Sequence, residues 1–118
     1  MATRSRIGIQ NEDGTIRSVY CHFDGYTDYV GSILRGNYSS SERINALLDQ
    51  GDMSSLGYHI DDCEFYARDR GEKLEDNAAM VHENRREFLK YGEQYNYLYC
   101  KDGVWRVCET GSTFRRFD

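Results

Sequence analysis

The run that most constrains the fold is RIGIQNEDGTIRSVYCHFDGY, residues 6–26. Apolar residues alternate with other residues on both sides of a polar segment at residues 11–14, and a period of two indicates β-strands. Asn11 and Gly14 begin and end this segment, as in a type I turn that closes with a left-handed glycine and a G1 bulge. We therefore predict a hairpin with strands at residues 5–10 and 15–23 and a positive φ at Gly14.

The bulge fixes which side chains share a face of this hairpin. Alternation places one set toward the core, namely Ile7, Ile9, Val19, Cys21 and Phe23. The opposite face carries Ile16, Ser18, Tyr20 and His22. A slip of one residue would exchange the two sets, so the turn decides which of them becomes core.

Two helices are predicted after the hairpin. Apolar residues recur at helical spacing from Tyr26 to Leu34, and the helix is expected to end near Gly36. Ser39 and Glu42 then have the spacing of a capping box, which predicts a second helix.

The middle of the chain has a weaker pattern. It predicts a strand at residues 63–68, a charged loop at 68–77, a short strand at 79–82 and a helix capped by Asn84. One long helix from Glu72 to Tyr91 is the alternative, because several apolar residues in this range partly fit its period.

The C-terminal region predicts a second hairpin. YNYLYC (95–100) and VWRVCE (104–109) alternate on either side of Lys-Asp-Gly. The predicted fold class is therefore α+β, an antiparallel sheet built from the two hairpins and a middle strand, with helices packed on one face. The order is β-β-α-α-β-(β)-α-β-β, and residues 1–118 form a single domain.

Composition narrows the function. The net charge of −5 argues against nonspecific nucleic-acid binding and suits an acidic face that meets a basic partner protein. No apolar run approaches the roughly 18 residues of a membrane span, and the first residues lack the apolar segment of a signal peptide. We therefore expect a cytoplasmic protein that does not insert into or bind a membrane. The four cysteines are expected as free, buried thiols, and zinc binding is the minor alternative because close cysteine pairs are missing.

Four segments carry a resemblance. They are residues 6–26, GDMSSLG at 51–57, RDRGE at 68–72 and the tyrosine-rich strand that runs into DGVW at 102–105. Together they resemble a group of small uncharacterised proteins encoded by tailed bacteriophages. The resemblance covers most of the chain and implies a setting, the cytoplasm of an infected host bacterium, without implying a mechanism.

Two His-x-Asp pairs are the candidate chemical groups. His22 and Asp24 share a face at the end of the second strand, and His59 and Asp61 repeat the spacing. If folding joined the pairs, they could bind a metal or relay a proton. The structural alternative, which we prefer, is that Asp24 caps the following helix and the other acids lie in loops.

Two further clusters are candidate binding residues. The polar cluster contains Arg68, Asp69, Arg70 and Glu72, which either bind a phosphate or partner or pair with one another in a solvated turn. The aromatic cluster contains Tyr95, Tyr97, Tyr99 and Trp105. The three tyrosines share one face, which either edges the core or is exposed for binding. We expect binding to centre on this tyrosine face, with residues 68–72 as its polar rim.

The sequence therefore predicts a binding protein. It has no nucleophile elbow, Walker loop, G-x-G-x-x-G or H-E-x-x-H motif, and nothing in it calls for a cofactor. We expect a non-catalytic phage accessory protein, for host takeover or anti-defence, that binds a host protein or complex. The alternative is a small metal- or phosphate-dependent enzyme or ligand-binding domain that uses the His-x-Asp pairs or the 68–72 loop.

Overall fold

The structure, a computed structural model, describes residues 2–117 and contains one mixed sheet. Its strands are β1 (Ser5–Gln10), β2 (Ile16–Cys21), β3 (Met53–Ser55), β4 (Glu64–Phe65), β5 (Met80–His82), β6 (Tyr95–Tyr99), β7 (Trp105–Glu109) and β8 (Arg115–Arg116). The strand order is β4-β3-β2-β1-β6-β7-β8, and β5 pairs with β2 beside β3. The α+β class is thus confirmed.

Short helices connect the strands. The α-helices are α1 (Ser32–Asn37), α2 (Ser41–Asp49), α3 (Tyr66–Arg70), α4 (Leu74–Asn77) and α5 (Arg85–Lys90). A π-helical turn at Thr27–Gly31 leads directly into α1, and a 3₁₀ turn occupies Ile60–Asp62. Within residues 2–117, no helix is long and apolar enough to cross a membrane.

The N-terminal hairpin has the predicted turn and register. The Gly14 N–H donates to the Asn11 carbonyl at 2.9 Å, and Gly14 has a φ of 91°. Ile7 pairs with Val19, so these two side chains share the core face as alternation predicted. Phe23 departs from the prediction, because β2 ends at Cys21 and the Phe23 ring is 43% exposed.

The sheet is mixed, and the prediction of a purely antiparallel sheet is wrong. β1 pairs in parallel with β6, from Ser5 opposite Tyr95 to Ile9 opposite Tyr99. This pair joins the two predicted hairpins into one sheet. Parallel neighbouring strands require a long crossover connection, which here includes all the chain between the two hairpins. No local sequence pattern indicates such a pairing.

Both faces of the sheet carry apolar clusters, so helices are not confined to one face. The main core includes side chains from β1, β2, β6 and β7 with those of α1 and α2. A smaller cluster lies on the opposite face of the sheet and contains Ile16, Phe88, Leu98 and Cys100. α5 supplies Phe88, which approaches β1 where a Cβ on Gly8 would lie 3.1 Å from the Phe88 ring.

Helix boundaries were predicted with mixed success. Asn84 caps α5 as expected, since its side chain accepts from the Glu87 N–H at 3.0 Å. The second helix is capped by Ser40 rather than Ser39, because the Ser40 hydroxyl accepts from the Arg43 N–H at 3.3 Å. The alternative long helix over residues 72–91 is wrong, because the extended Ala78 and strand β5 interrupt it.

The predicted strand at residues 63–68 is much shorter than expected. Only Glu64–Phe65 pair as β4, and the chain then turns into α3. The Asp69 carboxylate accepts from the Phe65 N–H at 2.8 Å, which stabilises the start of this turn. The charged segment at 68–77, predicted as a loop, contains α4 and the last residues of α3.

Candidate functional site

The two His-x-Asp pairs do not form a joint site. His22 Nδ1 lies 2.6 Å from the Tyr20 hydroxyl, while the Asp24 carboxylate accepts from the Tyr26 hydroxyl at 3.2 Å. His59 precedes the 3₁₀ turn, where the Asp61 side chain is fully exposed. Within residues 2–117, no group of three or more His, Cys, Asp or Glu side chains is placed to hold a metal ion. The metal-dependent alternative thus gains no geometric support.

The charged residues at 68–72 are largely engaged within the chain. Arg68 binds the Asp69 carboxylate through two nitrogens at 2.9 Å and also donates to the carbonyls of Ile60 and Cys63. Arg70 pairs with Glu64 at 2.7 Å. These contacts attach α3 to β4, which accords with the structural interpretation of the cluster.

The tyrosine face of β6, predicted as the centre of binding, is part of the core, so the core-edge alternative describes it. Tyr97 has no exposed surface, and its hydroxyl donates to the Gly25 carbonyl at 2.7 Å. Tyr95 and Tyr99 are half-buried, and Trp105 is 6% exposed. The reason is the position of β6 between β1 and β7, where its odd-numbered residues face the main core. Tyr97 is therefore unavailable as a contact residue on the surface.

A different set of aromatic side chains is exposed. They are Phe23 at 43%, Tyr26 at 41%, Tyr29 at 39% and Tyr58 at 61%, and we call them the aromatic patch. The Phe23 N–H donates to the Ser54 carbonyl at 2.9 Å, which brings the end of β2 beside the strand that leads to Tyr58. The patch thus combines residues from the segments at 23–29 and 54–58.

Acidic groups border the patch, since Asp24 follows Phe23 in the chain and accepts a hydrogen bond from Tyr26. The charge of Asp24 raises the pKa of the Tyr26 hydroxyl, and Asp28 adds to the effect. Burial and then the charge of Asp24 raise the pKa of Tyr29, with a further contribution from nearby Tyr58. The patch therefore presents aromatic rings with carboxylates among them.

The His-Phe-Asp-Gly segment, residues 22–25, forms a tight corner that includes Phe23 of the patch. Asp24 has a φ of 59° and is the only non-glycine residue with positive φ in residues 2–117. Gly25 is needed beside it, because a Cβ there would lie 2.8 Å from the Thr3 carbonyl. Asp24 does not cap the helix as predicted. The N-cap residue is Tyr26, and its side chain makes no hydrogen bond to the first turn of the helix. Left-handed backbone at a non-glycine residue is concentrated at functional sites.

Sequence reasoning missed a buried polar network on the other face of the sheet. Arg6 donates to the Ser18 hydroxyl at 2.8 Å, and this hydroxyl lies 2.7 Å from His82 Nε2. Burial, with the charge of Arg6, lowers the pKa of His82. The serine–histidine distance suits a nucleophile and its base, but Ser18 has no exposed surface for a substrate to reach. Alternation had placed Ser18 on this face, while its partner His82 is 64 residues away.

Comparisons with known proteins assign the chain to no family and no function. A scan against protein-family models, a search of curated proteins and a search of solved structures each found no match.

Proposed function

We propose that this protein acts by binding a basic face of another protein through the aromatic patch. In the setting that the sequence resemblance implies, the partner is a host protein or complex in an infected bacterium, and the protein is a non-catalytic phage accessory factor. The observation that carries the binding proposal is the exposure of Phe23, Tyr26, Tyr29 and Tyr58 on two segments that the backbone bond from Phe23 to Ser54 brings together.

Exposed aromatic groups favour a protein partner for energetic reasons. Tyrosine supplies a large contact area, yet its side chain loses little conformational entropy when it is fixed in a complex. Interfaces are enriched in tyrosine, and a few such residues commonly dominate the binding energy. Large apolar groups exposed close together mark interaction sites, whereas apolar residues scattered singly are normal on a protein surface.

The negative charge near the patch favours a partner protein with a basic surface. Asp24 accepts a hydrogen bond from the Tyr26 hydroxyl, Asp28 is close enough to raise the pKa of that hydroxyl, and the whole chain carries a net charge of −5. Arginine and lysine can stack on tyrosine faces while they pair with nearby carboxylates. The same charges would repel nucleic-acid phosphates and would steer a basic protein toward the patch.

The backbone beneath the patch is rigidly held. Gly25 donates to the Thr3 carbonyl at 2.8 Å, and its own carbonyl accepts from the buried Tyr97 hydroxyl. Because the corner is fixed before binding, little backbone entropy would be lost on association. The buried Tyr97 thus supports the patch from below while the exposed rings make the contact.

The experiment measures affinity for a purified partner. Candidates are captured from bacterial lysate with the tagged protein, and the dissociation constant of each is then measured by calorimetry. Tyr58→Ala should weaken binding about 30-fold, the loss expected for a hot-spot ring worth about 2 kcal/mol. Asp28→Asn should slow association and reduce its dependence on salt.

Tyr91 provides the matched control. Its ring is 52% exposed but lies outside the patch, beside His82. Tyr91→Ala should leave the affinity unchanged. A partner that binds Tyr58→Ala and Asp28→Asn as tightly as the unmodified protein would contradict the proposal, even if the capture itself succeeds.

A further inference from the structure

We infer that a second site, a pocket beside Trp105, binds a small organic anion that carries a single planar ring. The pocket has a volume of about 200 Å³ and lies at the turn end of the β6–β7 hairpin. Its walls include Tyr99, Trp105 and Phe117, with Arg35 and Arg116 at the edge. None of these residues belongs to the aromatic patch, so the inference is independent of the proposed function.

The charge of the pocket is opposite to that of the protein. Arg35 and Arg116 are both exposed and both line the pocket, and none of the other described lining residues is acidic. Within residues 2–117, neither guanidinium forms an ion pair. Other arginines of the same hairpin region are paired, such as Arg106 with Asp102 and Arg115 with Glu109. Two guanidinium groups that have no carboxylate partner among the described residues, both lining one cavity, suit a carboxylate or phosphate.

The aromatic walls are held in place by their own polar atoms. The Trp105 indole N–H donates to the Tyr38 carbonyl at 2.8 Å, and the Tyr99 hydroxyl donates to the Ser39 carbonyl at 3.0 Å. The two rings meet edge to face with centroids 5.3 Å apart. Because these donors are already bonded within the chain, the rings present apolar surface to an occupant.

The volume limits the size of the occupant. A cavity of roughly 150 Å³ in an engineered protein binds benzene. At about 200 Å³, the pocket has room for one ring and a small anionic group. The Arg35 guanidinium also donates to the Phe117 carbonyl at 3.4 Å, which orients one cation at the pocket edge. The ligand class is therefore a single-ring aromatic carboxylate or phosphate monoester.

Trp105 makes the test direct, because it is the only tryptophan in the sequence. Phenyl phosphate and benzoate are titrated while tryptophan emission is recorded, with benzamide as a neutral probe of the same shape as benzoate. We expect saturable changes with roughly millimolar dissociation constants for the two anions, as suits ligands of this size. Benzamide should bind at least about tenfold more weakly because it lacks the charge.

Charge-removing variants locate the binding. Arg35→Gln and Arg116→Gln should each weaken phenyl phosphate about tenfold, as expected for loss of a charge-assisted hydrogen bond. Arg86→Gln is the matched control, since Arg86 is exposed and lines a different pocket. It should bind like the unmodified protein.

An NMR titration of the unmodified protein provides a readout that needs no variant. The Trp105 indole and Gly103 amide signals should shift with phenyl phosphate, and signals of the aromatic patch should not. The inference is overturned if neither anion perturbs Trp105 saturably, if benzamide binds as well as benzoate, or if Arg86→Gln weakens binding as much as the pocket variants do.

Discussion

The hydroxyl of Tyr97 gives the sharpest test of the way the core supports the patch. Tyr97→Phe removes one oxygen and leaves the Gly25 carbonyl without the hydrogen bond that it accepts at 2.7 Å. Tyr97 is fully buried, and burial raises the pKa of its hydroxyl, so solvent does not replace the lost bond. The expected loss is about 1–2 kcal/mol of the free energy of unfolding.

This loss should be visible in thermal unfolding. At about 2.1 cal/mol/K of unfolding entropy per residue, a chain of this length should lose roughly 4 °C in Tm for each kcal/mol. We therefore expect Tyr97→Phe to lower Tm by about 4–8 °C in calorimetry. The larger change Tyr97→Ala should cost about 3–5 kcal/mol because it also leaves a cavity in the core.

Tyr95 is the control for this prediction. It lies two residues away in the same strand, it is half-buried, and its hydroxyl makes no hydrogen bond in the part of the chain that the structure describes. Tyr95→Phe should change Tm by less than about 2 °C. If both variants lowered Tm equally, the bond between Tyr97 and Gly25 would not hold the corner as argued.

Three further predictions concern the turn, the thiols and the buried histidine. Gly14→Val should destabilise the protein by about 1–2 kcal/mol, because the backbone at Gly14 is left-handed. Gly36→Val is the control, since Gly36 has equally open space but an ordinary φ, and it should not destabilise the protein in this way. Equal urea midpoints for the two variants would contradict this prediction. Thiol titration without reductant should find four reactive groups after unfolding, with Cys21 unreactive in the native protein because burial raises its pKa to about 12. Since the folded-state pKa of His82 is lowered, the unfolded chain binds the proton first, and the free energy of unfolding should fall as pH drops below about 6.5. Urea unfolding at several pH values should show this decline in His59→Gln but a smaller one in His82→Gln.

Local patterns in the sequence predicted the parts of the fold that depend on near neighbours. The Asn11–Gly14 turn and the Asn84 cap each depend on residues three positions apart, and both are confirmed. The C-terminal hairpin is also confirmed, because alternation on both sides of a tight turn specifies it. Each of these features is encoded within about 15 contiguous residues.

Features that depend on distant residues were missed. The parallel pairing of β1 with β6 joins residues about 90 positions apart, and it buries the tyrosine face that looked available for binding. The second apolar cluster likewise joins Ile16 to Phe88. Alternation identified which face Tyr97 shares with Tyr95 and Tyr99, but it could not tell which face other elements would cover.

The aromatic patch was hidden from sequence reasoning for a local reason. Alternation assigned Phe23 to the core as though β2 continued through it, and helical spacing placed Tyr26 and Tyr29 on the apolar face of the predicted helix. The left-handed Asp24 and the π-helical turn at Thr27–Gly31 change the direction of these side chains. Asp24-Gly25 in the sequence marks a turn, but it does not show that the rings on either side become exposed.

Photo-crosslinking at single positions tests the central claim most directly. A photoreactive phenylalanine analogue is placed at position 58 or at position 91 of the otherwise unmodified protein, and each form is irradiated with the purified partner at low and high salt. The account predicts a crosslink from position 58, reduced at high salt because Asp24 and Asp28 contribute to binding, and none from position 91. A crosslink from position 91 alone would place the partner outside the aromatic patch and contradict the account.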